Sequence, residues 1–223
     1  FEDFREFPER LIPINVSQSK IELALRLLKA CSCLRDCLTI SEGLRIPPSY
    51  EQANESEYSI VKQYQFKKWT PIKQGAYISG KKLGQVISGS SSRYRKIMQD
   101  KIIIAEDALE IVATLDQGKH VPQGGIYFGT GTSPQVNLKA TLALLNSRLL
   151  SVIYETLFGG MHMGGGYLRY RTKFLEELPI VELTKHSEFL LTSLVEKILS
   201  SKYGDLAADT TEYERGIDRL VYK

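Results

Sequence analysis

Cysteine is scarce in this chain of 223 residues: there are three, at Cys31, Cys33 and Cys37, all crowded into one segment. An odd, small number excludes a disulfide-knit scaffold and points to reduced thiols in a cytoplasmic protein. A zinc site would need a fourth ligand at suitable spacing, but the three histidines lie far away, at His120, His162 and His186, so no metal site is expected. No run approaches 18 uninterrupted apolar residues, which excludes a transmembrane helix, and no membrane partner is expected. Glycine and proline, at 17 and 8, are near average, which excludes collagen and wholesale disorder. The opening FEDFREFPER is aromatic and mixed in charge, unlike a signal peptide. It also lacks an initiator methionine, so the chain reads as one module cut from something longer. What remains is an ordinary globular composition, 43% hydrophobic and 25% charged, sufficient for one large or two small domains.

The net charge is only +3, but it is unevenly spread. Between residues 61 and 101 ten basic residues face one acid, Asp100, a local net of +9, so the rest of the chain carries −6. Residues 174–223 hold ten acids against six bases. A block of one sign marks either a solvated face or a polyanion partner, because each cation placed near a phosphate releases condensed counterions.

Pro8 and Pro13 interrupt the opening segment, and its aromatics are expected to pin it to the body. Ser17 or Ser19 can cap a helix from about 20 to 37, with apolar positions at Leu23, Leu25, Leu27, Leu28, Cys31, Leu34 and Leu38. Short strand-like runs follow at 60–66 and 76–80, and GSSSR (89–93) reads as a flexible loop. KIIIAED (101–107), LEIVATLD (109–116) and IYFGT (126–130) read as three strands separated by turns, an antiparallel meander. Asn137 then caps one helix over 138–158, with apolar residues at spacings of three and four, stopped by Gly159-Gly160. An amphipathic helix from 187 to 201 and an acidic helix over 210–223 close the chain. The class is α+β: a small, mostly antiparallel sheet with packed helices and a helical C-terminal flank.

No catalytic constellation emerges. PPSY (47–50) resembles the Asn/Asp-Pro-Pro-aromatic loop of amino methyltransferases, yet Ile46 stands where the amide should be and Ser49 separates the prolines from Tyr50. FGTG (128–131) resembles the glycine loop that wraps S-adenosylmethionine, but no helix opens directly after it and no acid follows before Glu155. No Gly-x-Ser-x-Gly elbow is present. A metal-dependent nuclease would have to assemble carboxylates far apart in sequence, for example Glu106, Asp107 and Asp116.

Taken in order, KIIIAED, an apolar strand ending in LD, GGIYFGT, a helix bearing LLNSRLL, a Gly-Gly stop, a glycine/basic/aromatic loop and LPI occupy residues 101–180. SEGLRIPPSY (41–50), PIKQGAYISG (71–80) and the tail ERGIDRLVYK (214–223) complete the set, with Tyr77 where an acid is more usual. This ordered set resembles the TaqI-like C-terminal specificity domain of adenine-specific DNA methyltransferases and fused restriction-modification enzymes. The resemblance implies a target recognition domain over 1–183, with an opening helix and basic loops over 16–100 and a strand-strand-strand-helix core over 101–183. A helical extension over 184–223 would follow. It further implies double-stranded DNA as partner and a methyltransferase domain lying N-terminal in the same parent chain. S-adenosylmethionine would serve that domain, and no cofactor is expected in this chain.

Within such a domain, phosphate contacts set register and base-edge contacts specify sequence. For phosphates the candidates are Lys67, Lys68, Lys73, Lys81, Lys82, Arg93, Arg95 and Lys96, on polar segments where Gly80, Gly84 and Gly89 allow close approach. For base reading they are Arg169 and Arg171 with Tyr167 and Tyr170, beyond Gly164-Gly165-Gly166. Alternation in YLRYR puts both arginines on one face of an extended segment, where arginine can grip guanine bidentately. The competing reading pairs the arginines with Glu176 and Glu177 and leaves Tyr167 and Tyr170 as core or rim aromatics. Trp69 is expected to be a core anchor, His120 a solvated loop residue, and Asn146 and Ser147 helix-packing residues.

Overall fold

A computed structural model describes residues 7, 8, 13, 16–161 and 163–222. The chain runs through helix α1 (Gln18–Ala30), strand β1 (Ser32–Cys33), helix α2 (Leu34–Cys37), strand β2 (Leu38–Glu42), strand β3 (Tyr58–Val61) and strand β4 (Tyr77–Ile78). Helices α3 (Gly80–Val86) and α4 (Ser91–Met98) follow, then strands β5 (Asp100–Ala105), β6 (Asp107–Ala108), β7 (Ala113–Gln117), β8 (His120–Pro122) and β9 (Ile126–Gly131). Helices α5 (Leu138–Leu145) and α6 (Arg148–Phe158) lead to β10 (Leu168–Arg169), α7 (Thr172–Glu176) and β11 (Pro179–Ile180). Helices α8 (Lys185–Gly204) and α9 (Thr211–Val221) finish the fold. The class is mixed α+β, as the sequence predicts.

The central sheet has the order β2-β9-β5-β7, antiparallel throughout. It is therefore not the meander that strand succession suggests: β9 returns on the far side of β5, with Ile103 opposite Phe128, and β2 adds to its outer edge. Strand β5 explains the arrangement. Its run Ile102-Ile103-Ile104 is buried on both faces, the pattern of a strand inside a three-layer stack. Ile102 and Ile104 enter one hydrophobic cluster with Leu142, Leu145, Leu149 and Ile153 of α5 and α6. Ile103 and Ala105 enter a second with Ile60, Ile78, Leu83, Ile97 and Val121. The second cluster is roofed by a small sheet of order β4-β3-β8, in which β3 and β8 run parallel. Each fully buried isoleucine contributes roughly 1.5–3 kcal/mol, so this short run carries much of the fold. Helices α8 and α9 also join the first cluster, through Leu191, Val195, Ile198, Ile217 and Val221. Phe7 is buried there too; the other opening aromatics, Phe1 and Phe4, lie outside the described residues.

Three local expectations are corrected. The helix expected over 20–37 ends at Ala30, because Leu34 N donates to Leu178 O at 2.8 Å and draws Ser32–Cys33 into pairing with β11. The strand read over 76–80 is present at Tyr77–Ile78 and runs straight into α3, while the loop read over 89–93 passes into α4 at Ser91. Ser79 Oγ caps α3 by accepting from Lys82 N, and Ser90 Oγ caps α4 by accepting from Arg93 N. Ser88 and Gly89, at φ 52° and 68°, turn the chain between them. The helix expected over 138–158 is two, broken at Asn146-Ser147. Asn146 is buried and caps α5, its N still donating to Leu142 O, while its side chain holds β7: Nδ2 donates to Ala113 O and Oδ1 accepts from Ala113 N, both at 3.0 Å. Ser147 Oγ then accepts from Leu150 N and starts α6.

Candidate nucleic-acid interface

The ten cations between 61 and 101 divide by what they touch. Lys62 pairs with Glu51 at 2.6 Å and Lys68 with Glu110 at 2.9 Å. Lys101 is fully buried against Asp116 and donates to Ile97 O at 2.6 Å. Lys82 donates to Ser49 O at 3.1 Å with its ammonium 5.5 Å from the centre of the Tyr50 ring. The remaining six, Lys67, Lys73, Lys81, Arg93, Arg95 and Lys96, are exposed and make no ion pair among the described residues.

Arg93, Arg95 and Lys96 project from α4, which Tyr94 ties to β3: its hydroxyl lies 2.9 Å from that of Tyr58, and the rings meet edge to face at 6.2 Å. Lys67 sits on a turn closed by Thr70, whose Oγ1 accepts from Lys67 N at 2.8 Å. Trp69, at φ 65° and only 2% exposed, plugs that turn into the core, so the expectation of an anchor holds.

The base-reading candidates separate by alternation. Leu168 and Tyr170 face inward; Arg169 is half-buried and Arg171 exposed on the opposite side. Tyr170 is therefore misplaced as an interface residue. It is fully buried, its ring 4.5 Å from that of Tyr154, and its phenol is pushed up by burial. Tyr167, 46% exposed, stays on the surface. The glycine run before it bends through Gly165 and Gly166 at φ 80° and 81°, and Met163 N donates to Tyr167 O at 2.8 Å to close the loop. His162 lies outside the described residues.

Arg169 is held on a two-residue rung: β10 pairs with β6, placing Arg169 opposite Asp107, and Tyr154 OH donates to Arg169 O at 2.8 Å. Its guanidinium Nε lies 3.1 Å from Asp107 Oδ1 and 4.0 Å from Glu106 Oε1. The arginine's partners are thus not Glu176 and Glu177; Glu177 binds Arg35 instead. Glu106 is raised above the usual carboxylate range, chiefly by burial and then by the neighbouring charge of Asp107. Across the same strand ends, Tyr127 stands opposite Glu42, and burial, then Glu106 and Glu42, push its phenol up to about 12. The sequence hid this grouping because Asp107 and Arg169 are sixty-two positions apart, joined only by a two-residue pairing.

The dispersed carboxylates of the nuclease reading do not come together. Asp116 sits opposite Lys101 at one end of β5, whereas Glu106 and Asp107 follow its other end. Asp116 is committed: it receives Lys101 and lies 2.7 Å from His120 Nδ1, which also corrects His120 from a solvated loop residue to a half-buried strand partner. Burial alone would raise Asp116, but the His120 hydrogen bond and the Lys101 charge outweigh it and hold the carboxyl below its usual value. Cys31, Cys33 and Cys37 are free, half-buried thiols raised by burial. Among the described residues no group of three or more His, Cys, Asp or Glu is placed to hold a metal ion.

The TaqI-like C-terminal specificity domain matches residues 48–180, from the turn before β3 to the end of β11. The chain belongs to that family. A specificity domain is a DNA-recognition module, and every candidate phosphate and base contact named above falls within the matched stretch. Two solved structures share the fold. One is the Type IIL restriction-modification enzyme MmeI, solved in complex with DNA, with a TM-score of 0.54 at 11% identity over 82% of this chain and 32% of that one. The other is the type IIG restriction endonuclease BpuSI, with a TM-score of 0.52 at 13% identity over 92% of this chain and 33% of that one. The specificity domain and its flanking helices span about a third of either structure. No curated protein matches the chain. No helix among the described residues is long and apolar enough to cross a membrane.

Proposed function

We propose that this specificity domain reads the base sequence of duplex DNA for an adenine-N6 methyltransferase domain N-terminal to it in the parent chain, in a modification or restriction-modification enzyme. S-adenosylmethionine would serve that catalytic domain. The observation that carries the reading is the division of charge within the family-matched stretch: it holds six exposed cations without acidic partners among the described residues, and separately an arginine-bearing rung presented on a glycine-bent loop. The unpaired cations would grip the phosphates and fix register. Arg169, Arg171 and Tyr167 would face base edges and sugar.

The test is affinity for a mixed-sequence 30-base-pair duplex across a salt series. Each phosphate contact contributes about −0.9 to the slope of log K against log salt. Arg93→Ala/Arg95→Ala/Lys96→Ala is expected to flatten that slope by up to about 2.7 if all three touch phosphate. Absence of salt-sensitive binding by the wild-type domain would overturn the proposal. Once a target is known, Arg171→Ala is expected to relax discrimination at one base pair by about 1–3 kcal/mol, measured as the ratio of affinities for matched and substituted sites.

A further inference from the structure

We propose that Asp107, with Glu106 behind it, is a specificity-determining screen that keeps Arg169 from binding phosphate and so keeps it for base edges. The inference rests on the DNA-recognition reading above and deepens it. The cations of the domain differ in electrostatic state. Lys67, Lys73, Lys81, Arg93, Arg95 and Lys96 have no ion pair among the described residues. Arg169 has two carboxylates within 4.0 Å. The side chains of Arg169, Asp107 and Glu106 are 40%, 29% and 26% exposed, so water screens the pair and it adds little to stability. Its chief effect is on the charge that Arg169 shows to an approaching strand.

A phosphate, rich in negative charge, must come against Asp107 and Glu106 to reach Arg169, and like charges repel. A guanine edge offers two neutral acceptors in the plane of the guanidinium and meets no such penalty. The backbone that carries the screen is held in place. Gln63 Nε2 donates to Asp107 O at 2.5 Å, Tyr170 N donates to Glu106 O at 2.7 Å, and the rung fixes Asp107 opposite Arg169. Asp107 is therefore a positioning residue, acting through the arginine.

The experiment is a double-mutant cycle on non-specific binding, with the same mixed-sequence duplex and salt series. Glu106→Gln/Asp107→Asn frees Arg169 for phosphate, and the salt slope is expected to steepen by about 0.9, with affinity at low salt rising severalfold. Arg169→Ala alone is expected to leave the wild-type slope unchanged. Arg169→Ala in the Glu106→Gln/Asp107→Asn background is expected to remove the gain. Thermal unfolding of each variant checks that the fold persists, and a change in packing alone would not move the slope. An unchanged slope in Glu106→Gln/Asp107→Asn, a gain that survives without Arg169, or a flatter slope for Arg169→Ala alone each overturns the screen while leaving DNA recognition standing. Absence of salt-dependent binding by the wild-type domain instead removes the reading on which the screen rests.

Discussion

Lys101→Met is expected to cost about 3–5 kcal/mol of folding stability at neutral pH, because it leaves a buried carboxylate without its cation. Lys101 is fully buried and Asp116 is 3% exposed, and Lys101 also donates to Ile97 O near the end of α4. His120 cannot compensate alone, since its Nδ1 meets the other oxygen of Asp116. The loss is measured by denaturant unfolding across pH. In the wild-type domain the folded-state value of Asp116 lies below its unfolded value. The unfolded chain therefore takes up the proton first as pH falls. The stabilisation is complete above the unfolded carboxylate value of about 4 and is lost as pH drops through the folded value. In Lys101→Met the carboxyl, buried without its partner, protonates more readily. The gap between wild type and variant should thus narrow in acid; a gap constant from pH 7 to pH 3 would refute the account. Lys101→Met/Asp116→Leu should recover part of the loss. Recovery stays incomplete because Asp116 also accepts from Lys119 N and His120 N in the turn at Gly118.

Asn146→Ala should cost about 2–3 kcal/mol, since it leaves the buried amide of Ala113 without an acceptor and opens a small cavity between α5 and β7. In a domain of this size that corresponds to a fall in Tm of roughly 5–10 °C. Asn146→Asp is the sharper test. Asparagine presents a donor to Ala113 O and an acceptor to Ala113 N, whereas aspartate presents acceptors to both and buries a charge. Aspartate should therefore be no better than alanine, and a near-neutral Asn146→Asp would show that the two bonds do not hold the strand.

Much of the fold is legible in the residues themselves. The run KIIIA announces a strand buried on both faces, and Asn137 and Gly159 bound the helical stretch between them. Strand order is not legible, because turn residues mark where strands end and not which neighbour they join. Asn146-Ser147 hides a break within an apolar periodicity of three and four; the signal was two cap-forming residues side by side. Helices α3 and α4 are obscured by glycine and serine, although Ser79 and Ser90 are the caps that begin them. At the site, alternation correctly turned Arg169 and Arg171 outward, and the same alternation buries Tyr170. The acids beside Arg169 could not be read, since a pairing of two residues leaves no period to detect.

The double-faced central sheet has a consequence for how such a domain changes over generations. Helices α3 and α4, with Lys81, Arg93, Arg95 and Lys96 on their surface, are founded on the cluster around Ile103, whereas the Arg169 rung is founded through Leu168 and Tyr170 on the cluster around Ile102 and Ile104. Strand β5 is a party wall between the two. Substitutions on opposite sides share few neighbours, so their effects should add. If the contacts divide as proposed, a lineage can exchange the word it reads on one side of the wall while inheriting, unaltered, the hand that holds the page.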